Sequence, residues 1–321
     1  MQEISSNSFV PPHPLKTAVL FLVFNRPDTT KQVFEAIRKA KPPRFYVAAD
    51  GPRADKAIEV EKVEQVRRIA TAVDWDCEVK TLFRDKNLGC GKAVSSAIDW
   101  FFENEEEGII LEDDCLPSQS FFWFCEELLE RYRGDMRIWH IAGNNFNAPL
   151  HQMMPNEFDR TNYIFSSFAQ VWGWASWSRA WKYFDYSVKT WPFVSQNKIL
   201  IKSFPNRFAY YQKVNHINLV YRGRIDTWDY QWQYAILSNH GLVVIPTRNL
   251  VSNIGHEDDS THTTRFDKLR NNLPVYDVEL PLKHPNYMIP SLTMDRFYAD
   301  RMGMGLNIKS YIKRVVKWII K

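Results

Sequence analysis

The sequence predicts an α/β protein built on a parallel or mixed doubly wound sheet with helices on both faces. Short apolar runs alternate with segments of helical spacing through four successive units, and no internal repeat is present. One of these runs, residues 109–111, ends in three consecutive acids, Glu112, Asp113 and Asp114. With 321 residues, of which 45% are hydrophobic, the chain can form one large domain.

The first half of the chain supplies the four strand–helix units. The first unit begins with a nearly continuous apolar run and the fourth with a short one, which is typical of a strand covered on both faces. The four strands are predicted at 17–24, 44–49, 77–83 and 109–111. The helices are predicted after Asp28, over 55–73, after Gly91 and from Ser118, with Asp28 and Ser118 as N-capping residues.

The pattern changes after Gly134. Further strands are predicted at 136–142 and 242–246, helices at about 203–214 and 224–236, an irregular polar stretch at 143–168 and an aromatic block at 171–181. No linker rich in Ser, Gly or Pro separates the halves. We therefore divide a single fold into a loose lead-in (1–16), a first half (17–142), a second half (143–300) and a basic C-terminal helix (301–321).

Composition excludes several classes of protein. No window of about 18 apolar residues occurs, and the polar N-terminus lacks the apolar segment of a signal peptide. The four cysteines, Cys77, Cys90, Cys115 and Cys125, show no C-x-x-C spacing and are expected to be reduced core thiols of a cytoplasmic protein. The net charge is +4, but five basic residues lie in the last thirteen positions, so the body is near neutral and nucleic acid is not an expected partner.

Polar side chains follow three of the predicted strands. Asn25 and Arg26 follow the first strand, Asp50 follows the second, and the acids 112–114 follow the fourth. In open α/β sheets, ligands bind at this carboxyl edge. Three adjacent carboxylates repel one another unless a positive charge lies among them, and a divalent metal bridging to a diphosphate would supply that charge. The simpler alternative is that one acid caps the next helix while the others face water.

The order of these motifs resembles the nucleotide-sugar glycosyltransferases of the GT-A fold. The likeness is to the inverting N-acetylglucosaminyltransferase I family and to bacterial family-2-like transferases. The segment Ile-Ile-Leu-Glu-Asp-Asp at 109–114, followed by Phe121 and Phe122, looks like that family's Glu-Asp-Asp motif, a variant of the Asp-x-Asp metal motif. The resemblance is densest over about 17–145 and thinner over about 170–262. It implies a Rossmann-like mixed sheet in a single large domain, with 17–142 as the nucleotide-sugar-binding half and 143–300 as the acceptor-binding and catalytic half.

The resemblance also implies roles for individual residues. Asp50 matches the acid that binds the uracil ring, Asp113 matches a position near the ribose, and Asp114 matches the acid that holds Mn²⁺ or Mg²⁺ on the diphosphate. Trp228-Asp229 resembles the Trp-Asp pair in the region that supplies the catalytic base. The candidate nucleotide-sugar-binding residues are Asn25, Arg26, Asp50, Arg53, Lys92, Glu112 and Asp113.

Several of these residues have simpler interpretations. Asp50 could only shape a Gly-Pro turn, and Arg53 and Lys92 could be solvated rather than bound to phosphate. Asp226 and Asp229 lie three apart at a predicted helix start, which is also N-capping geometry, so Asp226 is the reserve candidate for the base.

Two further groups of residues are less specific. The aromatic block is expected mainly to pack in the core, although Trp172 or Trp174 could stack on a sugar. His256 and His262, in a polar loop after the last predicted strand, are candidate metal ligands or phosphate contacts.

These observations favour metal-dependent transfer of a sugar from a nucleotide-diphosphate sugar, expected to be UDP-linked, to a glycan or lipid-linked acceptor hydroxyl, and the resemblance implies that the transfer inverts the anomeric centre. Such a reaction belongs to the synthesis of surface polysaccharides or glycoconjugates. A sugar-phosphate nucleotidyltransferase is one alternative, but it usually has a Gly-rich loop after the first strand, and residues 24–28 contain no glycine. A non-catalytic carbohydrate-binding protein is the other, and the intact acid triplet argues against it.

The C-terminus carries a separate prediction. Lys309, Lys313, Lys317 and Lys321 recur every four residues, and apolar residues fall on another helical face. A short basic amphipathic helix over 306–321 is therefore predicted to contact the inner face of the membrane, with docking on the protein body as the alternative.

Overall fold

The structure is a computed structural model that describes residues 9–146, 161–255 and 272–301. The strands in chain order are β1 (Val19–Val23), β2 (Arg44–Ala49), β3 (Glu78–Phe83), β4 (Glu107–Glu112), β5 (Cys115–Pro117), β6 (Ile138–Ala142), β7 (Tyr163–Ser166), β8 (Trp174–Trp177), β9 (Leu242–Pro246) and β10 (Val251–Asn253). The helices are α1 (Pro27–Ala40), α2 (Ile58–Ala70), α3 (Cys90–Asn104), α4 (Ser120–Tyr132), α5 (Ser178–Trp181), α6 (Trp191–Gln196), α7 (Arg207–Tyr221), α8 (Asp229–Ser238) and α9 (Leu292–Arg301), with a 3₁₀ helix at Ile199–Ser203.

Eight strands form one mixed sheet in the order β3-β2-β1-β4-β8-β6-β9-β7. The first four positions, β3 to β4, are parallel, and β1 pairs with both β2 and β4. β8 runs antiparallel between β4 and β6, and β7 runs antiparallel to β9 at the edge. A second, two-stranded sheet joins β5 to β10. The predicted α/β fold with a mixed, Rossmann-like sheet is confirmed.

Alternate side chains of each central strand enter opposite cores. In β1, Val19 and Phe21 pack with α1, α2 and α4 on one face, whereas Leu20 and Leu22 pack with α3, α5 and α8 on the other. This double burial explains the nearly continuous apolar runs. A third apolar cluster draws side chains from α6, the 3₁₀ helix, α7, α8, α9 and the loops beside them, and it includes the buried Trp191.

Several predicted boundaries agree closely with the structure, but two predicted caps do not. The strands at 44–49 and 242–246 have the predicted bounds. Asp28 lies inside the first turn of α1, whose N-cap position is Arg26, because Pro27 starts the helix. The helix expected from Ser118 begins at Ser120, because residues 115–117 first pair with β10.

Four strands, β5, β7, β8 and β10, lie where the sequence did not predict them. β7 falls within the stretch expected to be irregular, and β8 falls within the aromatic block. Trp174 of β8 is buried, with its ring stacked on His140 at 5.0 Å and on Trp228 at 5.6 Å between centroids. Its aromatic surface is therefore used in packing and is not open for a sugar. Trp172 is half-buried, with its ring 4.7 Å from that of Phe146.

The cysteine prediction holds in part. All four are free thiols, and Cys115 and Cys125 are buried, but Cys90 is exposed and Cys77 is half-buried. Across residues 9–146, 161–255 and 272–301, no helix is long and apolar enough to cross a membrane. His256, His262 and the C-terminal segment 306–321 lie outside the described residues.

Candidate functional site

The candidate site lies at the carboxyl ends of β1, β2 and β4, where the connections diverge. α1 leaves β1 on one face of the sheet, whereas α3 enters β4 from the other face. This divergence makes the β1–β4 boundary a topological switch point, where open α/β sheets bind ligands. The predicted residues at the ends of β1 and β4 therefore meet at one crevice.

Asp113 links the end of β4 to the end of β1 by a hydrogen bond. Its Oδ2 accepts a hydrogen bond of 3.0 Å from the backbone N–H of Phe24, immediately after β1. Burial, and then the neighbouring charge of Asp114, raise the pKa of Asp113 to about 7 against the opposing effect of Arg26. Burial and the charges of Asp114, Asp113 and Asp229 also raise the pKa of Glu112. The acid triplet thus carries strong mutual repulsion, as the sequence predicted.

Arg26 supplies a positive charge among these acids. Its Nη1 lies 2.8 Å from Asp114 Oδ2 and 3.9 Å from Asp113 Oδ1. The sequence predicted Arg26 as a nucleotide contact, and that role remains a prediction. The structure shows that the guanidinium already neutralises part of the site before any ligand is added.

Asp114 is the predicted metal ligand, and its environment suits a ligand shared with a substrate. Its carboxylate is mostly buried beside Gly255, where a Cβ atom would lie 2.4 Å from Asp114 Oδ2. The described part of the chain contains no group of three or more His, Cys, Asp or Glu side chains that could hold a metal. A Mn²⁺ or Mg²⁺ ion would therefore fit here only with further oxygen ligands from a diphosphate, which is a usual arrangement for Mg²⁺.

Asp50 directly follows β2 and orders the loop that comes after β3. Its Oδ1 accepts hydrogen bonds from the backbone N–H groups of Gly51 and Leu88, at 2.9 and 3.0 Å. Burial raises the pKa of Asp50, while these hydrogen bonds oppose the shift. The turn-shaping interpretation of Asp50 is therefore realised. Binding of uracil at the same carboxylate remains a prediction.

Asn25 and Arg53 both bind the carboxylate of Glu59, a residue that the sequence analysis did not single out. Glu59, buried in the first turn of α2, accepts a 3.1 Å hydrogen bond from Asn25 Nδ2 and a bidentate ion pair from Arg53. These contacts join the ends of β1 and β2. Lys92 is exposed in the first turn of α3, close in sequence to the loop that Asp50 orders.

Asp226, the reserve candidate for the base, lies just before α8 in the chain and contacts the start of α3. Its Oδ1 accepts a 2.9 Å hydrogen bond from the backbone N–H of Gly91. A Cβ atom at Gly91 would lie 2.7 Å from Asp226 Oδ1, from the carbonyl oxygen of Thr227 and from the hydroxyl of Tyr186. Only glycine leaves room for Asp226 and Thr227 to lie this close to the backbone of residue 91. The start of α3 and the segment before α8 are therefore in tight contact.

Replacing Gly91 with alanine is expected to destabilise the protein by about 1–3 kcal/mol, because the added methyl group overpacks this contact. Chemical denaturation would measure the loss. Gly134→Ala is a matched control, since nothing lies within 4 Å of its Cβ position. Equal unfolding midpoints for the two variants would contradict a rigid contact between these segments.

Asp229, the predicted base, is the first residue of α8. Its Oδ1 accepts a short hydrogen bond from the hydroxyl of Thr227. Lys213, from α7, is buried and lies 4.7 Å from the ring centroid of Tyr230. Burial lowers the pKa of Lys213 to about 8, although the charge of Asp229 acts in the opposite direction. A buried cation thus lies within electrostatic range of the predicted base.

Both groups of acids lie within electrostatic range of Cys90, the first residue of α3. Protein atoms crowd the Cys90 thiol although the residue is open to solvent, and this desolvation raises the pKa of Cys90 to about 12 together with the negative charges of Glu112, Asp226, Asp229 and Asp114. Glu112 is also within electrostatic range of Asp229. The fold therefore brings together the acids after β4 and those before α8, which are more than 100 residues apart in sequence.

Some of the missed residues carried a usable signal. Lys213 shares the buried face of α7 with Ala209, Ile217 and Val220, so its helical spacing alone marks it as a buried cation. Glu59 and Cys90 carry no comparable pattern, because their partners come from other segments of the chain.

Comparisons with known proteins add no family assignment. No protein-family model matches the chain, and no curated protein is significantly similar to it. Similar solved structures include HddC from Yersinia pseudotuberculosis, at 12% identity over 39% of this chain and 56% of that chain, with a TM-score of 0.26. They also include UDP-glucose pyrophosphorylase complexed with UDP-glucose, at 10% identity, 49% and 64% coverage and a TM-score of 0.26.

A third similar structure is the apo form of WbbM, a bifunctional glycosyltransferase, at 10% identity over 74% of this chain and 46% of that chain, with a TM-score of 0.32. The chain spans less than two thirds of the length of each of the three structures. Similarity at this level carries no functional argument, so the function is argued from the site.

Proposed function

We propose that the protein transfers a sugar from a nucleotide-diphosphate sugar to an acceptor hydroxyl. The observation that carries the proposal is that two groups of carboxylates lie within electrostatic range of each other at the carboxyl edge of the sheet. Glu112 ends β4 and Asp114 follows it, whereas Asp226 precedes α8 and Asp229 is its first residue. One group can serve the diphosphate side of the donor while the other serves the acceptor.

The proposed reaction is a single displacement. The acceptor oxygen forms a bond to the anomeric carbon as the bond from that carbon to the diphosphate breaks, which inverts the anomeric centre. Asp229 takes the proton of the acceptor hydroxyl, and the nucleoside diphosphate leaves. Asp229 lies at the N-terminus of α8, where the helix dipole interacts favourably with a negative charge.

On the donor side, Arg26 and Asp114 are the proposed diphosphate contacts. A divalent metal held by Asp114 would neutralise charge on the departing diphosphate. Arg26 is partly exposed and paired with Asp114. Its guanidinium could therefore leave the Asp114 carboxylate and bind a phosphate oxygen of the diphosphate instead. Asn25, Asp50 and Asp113 are proposed to position the nucleoside.

A nucleotidyltransferase usually binds the phosphates of its substrate at a Gly-rich loop that leads into a helix N-terminus. The glycine-containing start of α3 is the nearest candidate, but Asp226 accepts the N–H of Gly91 there. A carboxylate at this position competes with a phosphate and repels it. This contact favours sugar transfer over nucleotidyl transfer.

The test is a screen of the purified full-length chain with nucleotide sugars and candidate acceptors, with Mn²⁺ and Mg²⁺ compared. Acceptor-dependent release of a nucleoside diphosphate is the expected result. Release of pyrophosphate from a nucleoside triphosphate and a sugar phosphate would instead identify a nucleotidyltransferase. Sugar binding without release of either product would identify a non-catalytic protein.

A further inference from the structure

A long stretch of the second half of the chain contains no acidic residue. Residues 186–225 lack Asp and Glu but contain seven basic residues, so the rest of the chain sums to −3 against +4 for the whole. Six of the seven are exposed in the structure, and only Lys213 is buried. The basic residues are Lys189, Lys198, Lys202, Arg207, Lys213, Arg222 and Arg224.

Large apolar side chains are exposed within this basic stretch. Phe193 of α6 is 67% exposed, and Ile199 at the start of the 3₁₀ helix is 52% exposed. The third apolar cluster does not need them, because Trp191 and Leu200 already fill it from the same two elements. Phe193 and Ile199 therefore face solvent with no role in the interior.

The backbone between these two side chains is well ordered. Trp191 Nε1 donates a 2.9 Å hydrogen bond to Asn218 Oδ1, which fixes α6 on α7. The carbonyl oxygen of Phe193 accepts a 2.9 Å bond from Asn197 Nδ2, and Lys198 turns the chain with a φ of 52°. Lys198, Ile199 and Lys202 thus lie on one short exposed turn and the 3₁₀ helix after it.

We propose that this surface, formed by α6, the 3₁₀ helix and the exposed side of α7, binds an anionic lipid bilayer. The cations complement acidic headgroups, while Phe193 and Ile199 enter the interfacial region, where apolar area contributes to binding. An isolated phosphate backbone, as in nucleic acid, would pair with the cations but would leave Ile199 uncovered. The combination therefore favours lipid over nucleic acid.

This inference is independent of the proposed sugar transfer and of the predicted C-terminal helix. Its test is co-sedimentation of the full chain with vesicles of phosphatidylcholine alone or of phosphatidylcholine mixed with phosphatidylglycerol. Wild-type protein is expected to sediment only with the anionic vesicles, and less at high salt. The double variant Lys198→Gln, Lys202→Gln should bind about thirtyfold more weakly. Phe193→Ser with Ile199→Ser should bind more weakly by at least about tenfold.

The matched control is Lys31→Gln with Lys39→Gln, which makes the same charge change at exposed positions of α1. It should bind anionic vesicles nearly as wild type does, and melting curves of all variants should show an intact fold. Equal loss in the Lys31 and Lys198 double variants would overturn the proposal, since only net charge would then matter. Unchanged binding by both test variants would overturn it too, because another segment would carry the contact. Binding of a nucleic-acid duplex but not of anionic vesicles would also overturn it.

Discussion

Replacing Asp229 with asparagine is expected to lower the rate of sugar transfer by about 10²–10⁴-fold, the usual cost of losing a general base. Asparagine keeps the size of the side chain and can still accept the hydrogen bond from Thr227, but it cannot take a proton. Affinity for the nucleoside diphosphate should barely change, because the base contacts the acceptor. Steady-state turnover and calorimetric UDP affinity measure the two effects separately.

Asp226→Asn is the matched control for this prediction. Its retained Oδ1 can still accept the N–H of Gly91, so a purely structural role predicts little loss of turnover. If Asp229 only stabilised the start of α8, Asp229→Asn would cost roughly 1 kcal/mol of stability and leave turnover intact. Turnover within a few-fold of wild type would rule out Asp229 as the base, and a large loss in Asp226→Asn would identify the reserve candidate.

Asp114→Ala is expected to abolish the gain in UDP affinity that Mn²⁺ provides. Loss of the ligand itself should exceed the roughly 10- to 100-fold effect of losing an outer-shell partner. The fold should survive, because removing the Asp114 carboxylate also relieves its repulsion of Glu112 and Asp113, which offsets the loss of the ion pair with Arg26. Calorimetric titration of UDP with and without Mn²⁺ measures the gain, and melting curves check the fold.

Arg26→Gln separates the metal role of Asp114 from its role as partner of Arg26. If Asp114 serves only to hold Arg26, the two variants should lose the same UDP affinity at every Mn²⁺ concentration. If Asp114 binds the metal, only Asp114→Ala should lose the dependence on Mn²⁺. Removal of Arg26 should then strengthen binding of Mn²⁺ in the absence of nucleotide, since the competing positive charge is gone. Mn²⁺ affinity unchanged in Arg26→Gln would contradict this competition.

The sequence was most informative where the structural signal is local. β2 and β9 have the predicted bounds because each is a short apolar run covered on both faces. The meeting of the polar segments after β1, β2 and β4 followed from one general rule about parallel strands. The fold class and the location of the candidate site could therefore be argued without coordinates.

Features that depend on distant pairing could not be predicted. β8 is only four residues long, and its aromatic residues suit a helix, a loop or a core strand equally well until Gly108 and Ile110 pair with it. The Arg26–Asp114 ion pair spans 88 residues, and the Asp226–Gly91 contact spans 135. No local pattern specifies which partner a charged side chain finds at such separations.

The insertion of β8 between β4 and β6 has a consequence for biosynthesis. Both neighbours precede β8 in the chain, so a growing polypeptide presents β4 and β6 before the strand that joins them has been translated. Uncovered strand edges attract other chains, and nascent polypeptides are most vulnerable at this stage. Residues 17–142 made alone would keep both edges open permanently. Expression of the two halves as separate polypeptides should therefore yield aggregates, whereas in a single continuous chain residues 174–177 cover the facing edges of β4 and β6, and residues 242–246 then cover the other edge of β6.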